Sequence, residues 1–131
     1  MKILKVYPPN YPEIVKAFPY IKGRHGMVFA WHSVLYNPSG CTLPPDVIAH
    51  EEVHCSRQYR DVTLWWDMYL VNPAFRLQEE VLAYRAQITF VKEHYRAKNG
   101  KAIIDRCVDS LAGKMYGSLV TKDEARCLLL S

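Results

Sequence analysis

His50-Glu51-Glu52-Val53-His54 reads H-E-x-x-H. On a helix, residues four apart stand one above the other, so the two imidazoles can converge on one tetrahedral metal ion. Glu51 lies near that face. Zinc lowers the pKa of a bound water to about 7, and a carboxylate in this place takes its proton as the water attacks a carbonyl. Pro44-Pro45-Asp46 precedes the motif and is a helix start, with proline and an acid in the first turn. Val47, Ile48 and Val53 are apolar, so the motif is expected on a largely buried helix.

A catalytic zinc site needs a third protein ligand and keeps a fourth position open. Cys55 and Asp61 are too close in sequence to fold back onto the same ion, which points to a second helix crossing the first. Arg76–Gln87 is that helix. Glu80, Ala83, Tyr84 and Gln87 share one face, with a small residue where another helix can approach. Glu79 shares its face with Leu82, Ala83 and Ala86, the pattern of ordinary packing with an acid at the edge. Glu80 is therefore favoured as ligand and Glu79 is the alternative; the competing assignment for both is a solvated acidic pair beside Arg76 and Arg85. His25, His32 and His94 are expected to be structural or surface histidines. His94-Tyr95 lies about four turns beyond Glu80, roughly 20 Å along the helix, too far for a part in the chemistry. Trp65 and Trp66 are expected to anchor a short helix against the motif helix. Arg57 and Gln58 should bond to backbone carbonyls or to an acid on the Glu80 helix, and Cys55 should be a buried, inert thiol.

The chain has 131 residues, enough for one domain, 1–131, with its own core. Seven of its eight prolines lie in the first 45 residues, so the first third should be extended and looped and the remainder mostly helical. Met27–Tyr36 is the best strand, and a short one is possible near Ile3–Val6. Helices are expected from Pro44 to about Tyr59, over Val62–Val71, from Ala74 to Ala97 with Asn99-Gly100 as its end, over Ala102–Tyr116, and over Lys122–Leu130 behind the capping box Thr121-x-x-Glu124. The fold class is α+β, mostly helical, with a small N-terminal β-sheet packed on the motif helix.

Half the residues are hydrophobic and 23% are charged, an ordinary globular balance. No apolar run approaches the roughly 20 residues of a membrane span, and the N-terminus lacks a signal peptide, so a cytoplasmic protein without a membrane partner is expected. The net charge of +4 is spread without a basic block, which argues against a nucleic-acid partner. Cys41, Cys55, Cys107 and Cys127 are scattered singly and should be free thiols.

H-E-x-x-H followed on a later helix by E-x-x-A is the pattern of the gluzincin branch of zinc metallopeptidases. The longer run His50-Glu-Glu-Val-His54, Arg57-Gln58, Trp65-Trp66, Tyr69-Leu70, Phe75-Arg76 and Glu80-Val-Leu-Ala-Tyr84 with Gln87 resembles small zincin-like metallopeptidases of phages and prophages, over about residues 27–90. The resemblance implies a minimal zincin-like domain that hydrolyses peptide bonds of a peptide or protein substrate. It implies Zn2+ held by His50, His54 and Glu80, with Glu51 as general base. An upstream edge strand would bind extended substrate; Met27–Tyr36 stands in that place, offering Phe29, Trp31 and Tyr36. Larger members often carry an aspartate after E-x-x-A that orients the first histidine. Here the residue is Tyr84, which could do so only through its hydroxyl; Tyr84 and Tyr36 are the candidates to stabilise a developing oxyanion. About 34 residues follow Ala97, too few for a second wall of a cleft. Two other functions fit the same motif: a non-enzymatic phage-derived zinc scaffold or interaction protein, its metal closed by a fourth ligand such as Cys55 or Glu79, and an amidase acting on cell-wall peptides.

Overall fold

Proline is tolerated in the first turn of a helix, where its missing N–H has no partner to lose. A computed structural model describing residues 1–131 uses that tolerance twice in the proline-rich third. Helix α1 (Tyr11–Ala17) carries Pro12 in its first turn, and a 3-10 turn, Pro19–Ile21, opens on Pro19. The expectation of an entirely extended and looped N-terminal third is thus corrected.

The sheet has three short strands, β1 (Lys2–Leu4), β2 (Phe29–Trp31) and β3 (Val34–Tyr36), in the order β1-β3-β2. β3 runs parallel to β1 and antiparallel to β2. Met27–Tyr36 is therefore a tight hairpin and not one strand. The pairing of Trp31 with Val34 leaves His32 and Ser33 to make the turn, and His32 adopts a left-handed backbone (φ 57°). Alternation and β-branching mark both arms alike, and no Gly or Asn advertises the bend.

Five further helices follow: α2 (Pro45–Arg57), α3 (Val62–Val71), α4 (Pro73–His94), α5 (Ala97–Leu111) and α6 (Lys122–Leu130). The Asp61 side chain accepts from Leu64 N–H and that of Asn72 from Phe75 N–H, capping α3 and α4, and Thr121 and Glu124 form the expected capping box. Asn99-Gly100 does not end α4; it lies in the first turns of α5, and α4 stops at His94. Gly100 serves close approach: a Cβ there would stand 3.0 Å from Val91 Cγ1 on α4. No helix is long and apolar enough to cross a membrane. All four cysteines are free thiols.

Apolar side chains gather in three groups. Tyr84 and Ile88 of α4 pack with Cys107, Val108 and Leu111 of α5 and with Ala125 and Leu129 of α6. Ile14, Ile21 and Phe29 pack with Trp65, Trp66 and Tyr69 of α3. Ala30 and Leu35 pack with Cys55 of α2. The hairpin is tied to this core by Gln58, whose side chain is wholly buried at the end of α2. Its amide donates to the Ala30 carbonyl (3.1 Å) and accepts from His32 N–H (2.7 Å), taking the place of a neighbouring strand along the β2 edge. Trp66 Nε1 donates to the same carbonyl at 3.0 Å.

Replacing Gln58 by Ala, which strands His32 N–H, or by Glu, which sets a carboxylate oxygen against the Ala30 carbonyl, should therefore lower stability by about 1–3 kcal/mol. Urea unfolding should show an earlier midpoint with an unchanged slope. A wild-type midpoint in both variants would mean that the amide does not hold the hairpin.

Candidate metal centre

A buried helix face is normally apolar, yet α2 buries Asp46, His50, His54 and Gln58 at four-residue intervals, one polar stripe along its inner side. α4 answers with Arg76, Glu79, Glu80, Tyr84 and Gln87, all buried. Where the stripes meet, His50 Nε2 lies 3.1 Å from Glu80 Oε1 and His54 Nε2 lies 3.2 Å from Glu80 Oε2. One donor atom from each of the three residues falls within 4.8 Å of the others. Ligands about 2.0–2.1 Å from a tetrahedral zinc stand about 3.4 Å apart, so the three donors are close enough to share one ion. Glu80 Oε1 is buried and accepts no hydrogen bond despite the nearby His50 nitrogen. Two imidazoles and a carboxylate with an oxygen left free are a donor set that fits a zinc ion.

The residue next to Glu80 has a different partner set. Glu79 takes paired hydrogen bonds from Arg57 (3.0 and 2.8 Å) and one from Trp65 Nε1 (2.7 Å), so it offers nothing to the group. Cys55 also stays outside it; burial, with Glu51 and Glu52 nearby, pushes its thiol up to about 12. The expected partner of Arg57 is thus an acid of α4, and that of Gln58 a backbone carbonyl.

The surroundings fix the group from several sides. Tyr69 donates to Glu80 Oε2 at 2.5 Å. Burial alone would push the Glu80 carboxyl up, but the charge and close nitrogens of His54 and His50 outweigh it and hold the carboxyl well below its ordinary value. His50 Nδ1 lies 3.1 Å from Gln87 Oε1. The Nδ1 of His54 is buried without a partner, and that ring is held by packing against Trp65, 5.3 Å between centroids. Trp65 and Trp66 are both core residues, as expected.

Tyr84 does not orient His50 through its hydroxyl. Its ring lies across His50 with centroids 4.4 Å apart, while its hydroxyl shares a hydrogen bond of 2.8 Å with that of Tyr116. Tyr116 had no sequence signal of its own. It sits on a 3-10 turn (Lys114–Tyr116) that the buried Arg76 holds by donating to the Tyr116 carbonyl (3.1 Å) and the Tyr69 carbonyl (2.7 Å). Burial pushes the hydroxyls of Tyr69, Tyr84 and Tyr116 upward, so all three are donors at neutral pH.

Two cavities reach the group. One, of about 90 Å³, is apolar and lined by Ile14, Phe29, Trp65, Trp66 and Tyr69. The other, of about 420 Å³, lies towards α5 and is lined by Asp46, Tyr84, Gln87, Arg106 and Ser110. His50, Glu51 and Tyr116 line both. Of the expected substrate residues only Phe29 reaches either cavity; Trp31 and Tyr36 pack against the Trp65–Trp66 group instead. The β2 edge, expected to receive a peptide, is occupied by Gln58 at Ala30 and His32. Compared with protein-family models, with curated proteins and with solved structures, the chain matches none.

Burial raises the Glu51 carboxyl from 4.5 to about 7, opposed by the His50 charge and reinforced by Glu80. A carboxyl whose folded value exceeds its unfolded one costs stability when ionised, and that cost grows from the unfolded value up to the folded one. Metal-free Glu51→Gln should therefore be more stable than the parent by about 3 kcal/mol at pH 8, with the gap closing as the pH falls towards 4.5. Urea melts in the presence of a chelator measure this; a gap independent of pH would contradict it.

Proposed function

We propose that this chain is a zinc-dependent hydrolase of peptide bonds, with His50, His54 and Glu80 as its metal ligands and Glu51 as its general base. The observation that carries the proposal is the convergence of three buried donors from α2 and α4 beside a carboxylate that faces two cavities. Zinc would supply a Lewis acid for the carbonyl under attack. Glu51 takes the proton of the attacking water and passes it to the leaving amine as the carbon–nitrogen bond breaks. Its carboxyl, raised by burial to about 7, is matched to both transfers. Tyr116, held by Arg76 and coupled to Tyr84, lines both cavities and replaces Tyr36 as partner for the developing negative charge. The apolar cavity between Phe29 and Trp66 suits an apolar side chain of the substrate.

A second proposal is a zinc protein without catalysis. It is favoured by one observation, the occupation of the β2 edge by Gln58, which removes main-chain pairing sites that a peptide would use. Neither Cys55 nor Glu79 belongs to the group, however, so neither would serve as the fourth ligand that a purely structural site calls for.

Protein purified without added metal should carry one zinc per chain by mass spectrometry, and stripped protein should rebind it at pH 7.5. Glu80→Gln should weaken binding strongly. Glu79→Gln should lower stability by about 2 kcal/mol, through loss of the Arg57 and Trp65 bonds, with metal affinity kept. The reverse order would move the ligand by one residue. Glu51→Gln should keep the metal and lose about 10²–10⁴-fold in hydrolysis of a peptide library. Zinc binding with no turnover of peptides or of purified cell-wall material would favour the non-catalytic role.

A further inference from the structure

We infer that Asp46 and Gln87 act as a pair that sets the tautomer of His50, and so decides whether that ring can ligate a metal. The inference rests on the proposed metal site but is testable apart from it. Asp46 is 4% exposed, on the first turn of α2. Its Oδ2 accepts from Gln87 Nε2 at 2.7 Å and its Oδ1 accepts from the Tyr95 hydroxyl at 3.0 Å. A carboxylate accepts and does not donate, so the Gln87 amide must turn its NH2 towards Asp46. Its Oε1 is then left facing His50 Nδ1 at 3.1 Å, and a carbonyl oxygen there accepts only if Nδ1 carries the proton. That leaves Nε2, on the Glu80 side, as the nitrogen a metal would take. Without the carboxylate the amide could flip, donate to Nδ1 and place the proton on Nε2, which cannot then bind a metal. Both are positioning residues.

The usual device sets a carboxylate directly on the ligand histidine. Here an amide is interposed and the carboxylate stands one hydrogen bond further out, on the helix that also carries the histidine. Tyr95, at the end of α4, completes the chain at its far side. His54 has no such support, its Nδ1 being unpartnered, so the bias towards the ligating tautomer comes from His50 alone.

The polarity of the chain can be reversed without removing it. In Asp46→Asn the side-chain amide can donate to Gln87 Oε1, turning its NH2 onto Nδ1. In Gln87→Glu two carboxylates face each other. In Asp46→Asn/Gln87→Glu the new glutamate accepts from both neighbours and the order of donors is restored. Asp46→Asn should weaken zinc binding by about 10- to 100-fold in a chelator competition, and adding Gln87→Glu should recover most of that loss. A further loss in the double variant would overturn the inference. Nitrogen-15 NMR of the wild-type, metal-free protein at pH 9 reads the same point without any variant or metal. His50 Nδ1 should carry a proton there, and an unprotonated Nδ1 would overturn the inference even if zinc binds. Failure of zinc to bind with the Nδ1 proton in place would count instead against the metal site.

Discussion

A carboxylate almost wholly shut off from water, Glu80, is the group on which the centre of this protein depends. Burying such a charge costs several kcal/mol unless partners repay the lost hydration. Tyr69 supplies one hydrogen bond, and two imidazoles stand against the two oxygens. That demand shapes both helices that meet there. α2 must stack two histidines one turn apart on its inner face, and α4 must bring its own polar face against them. Each end of the α2 stripe is then bound to something outside the helix: Asp46 to Gln87 of α4, and Gln58 to the hairpin. Helix α2 is held at both ends, and its middle presents donors that nothing in the chain fully satisfies.

Adjacent glutamates on α4 show how little side-chain type alone decides. Successive helix residues point about 100° apart. One step turns Glu79 towards Arg57 and Trp65, where it closes a structural bridge between α2, α3 and α4. The next step turns Glu80 into the gap between the histidines. Arg76, one turn before, ties α3 to the 3-10 turn that carries Tyr116. Among the buried polar side-chain atoms of the α2–α4 seam, only His54 Nδ1 and Glu80 Oε1 lack a hydrogen bond, and both belong to the proposed ligands. In a seam otherwise so fully paired, that coincidence is what a metal would explain.

Much of this was legible in the residues. The H-E-x-x-H spacing, the proline start, the face shared by Glu80, Tyr84 and Gln87, and the capping box at Thr121 are all local signals, and helices are local structures. The misses are non-local. Gly100 resembles a helix end because glycine usually marks one, but the reason for it is the Val91 side chain on another helix. The hairpin at His32 is bent by a left-handed residue that sequence disfavours, and Gln58 bonds to His32 and to Ala30 before it from 26 and 28 residues away. Tyr95 seemed too remote by helix rise from Glu80, yet it faces the first turn of α2 and enters through Asp46, a neighbour no spacing rule connects to it. Helix α1 was hidden by counting prolines without asking where in a turn they fall.

The two cavities differ in a way that bears on the proposed chemistry. On one side of Glu51 lie tryptophan, phenylalanine and isoleucine, in a space of about 90 Å³; on the other lie Asp46, Gln87, Ser110 and Arg106, in about 420 Å³. The smaller space admits a side chain but not a length of main chain. With the β2 edge closed at Ala30 and His32, a peptide bound as proposed would find room on the α5 side, where the chain after Ala97 supplies a wall that its short length seemed to deny. That wall is the product of the close α4–α5 crossing at Gly100 and of the turn that Arg76 holds. Glu51 stands at the boundary of the dry and the polar space. Such a position penalises its charge while keeping it open to a substrate, which is the combination a general base requires.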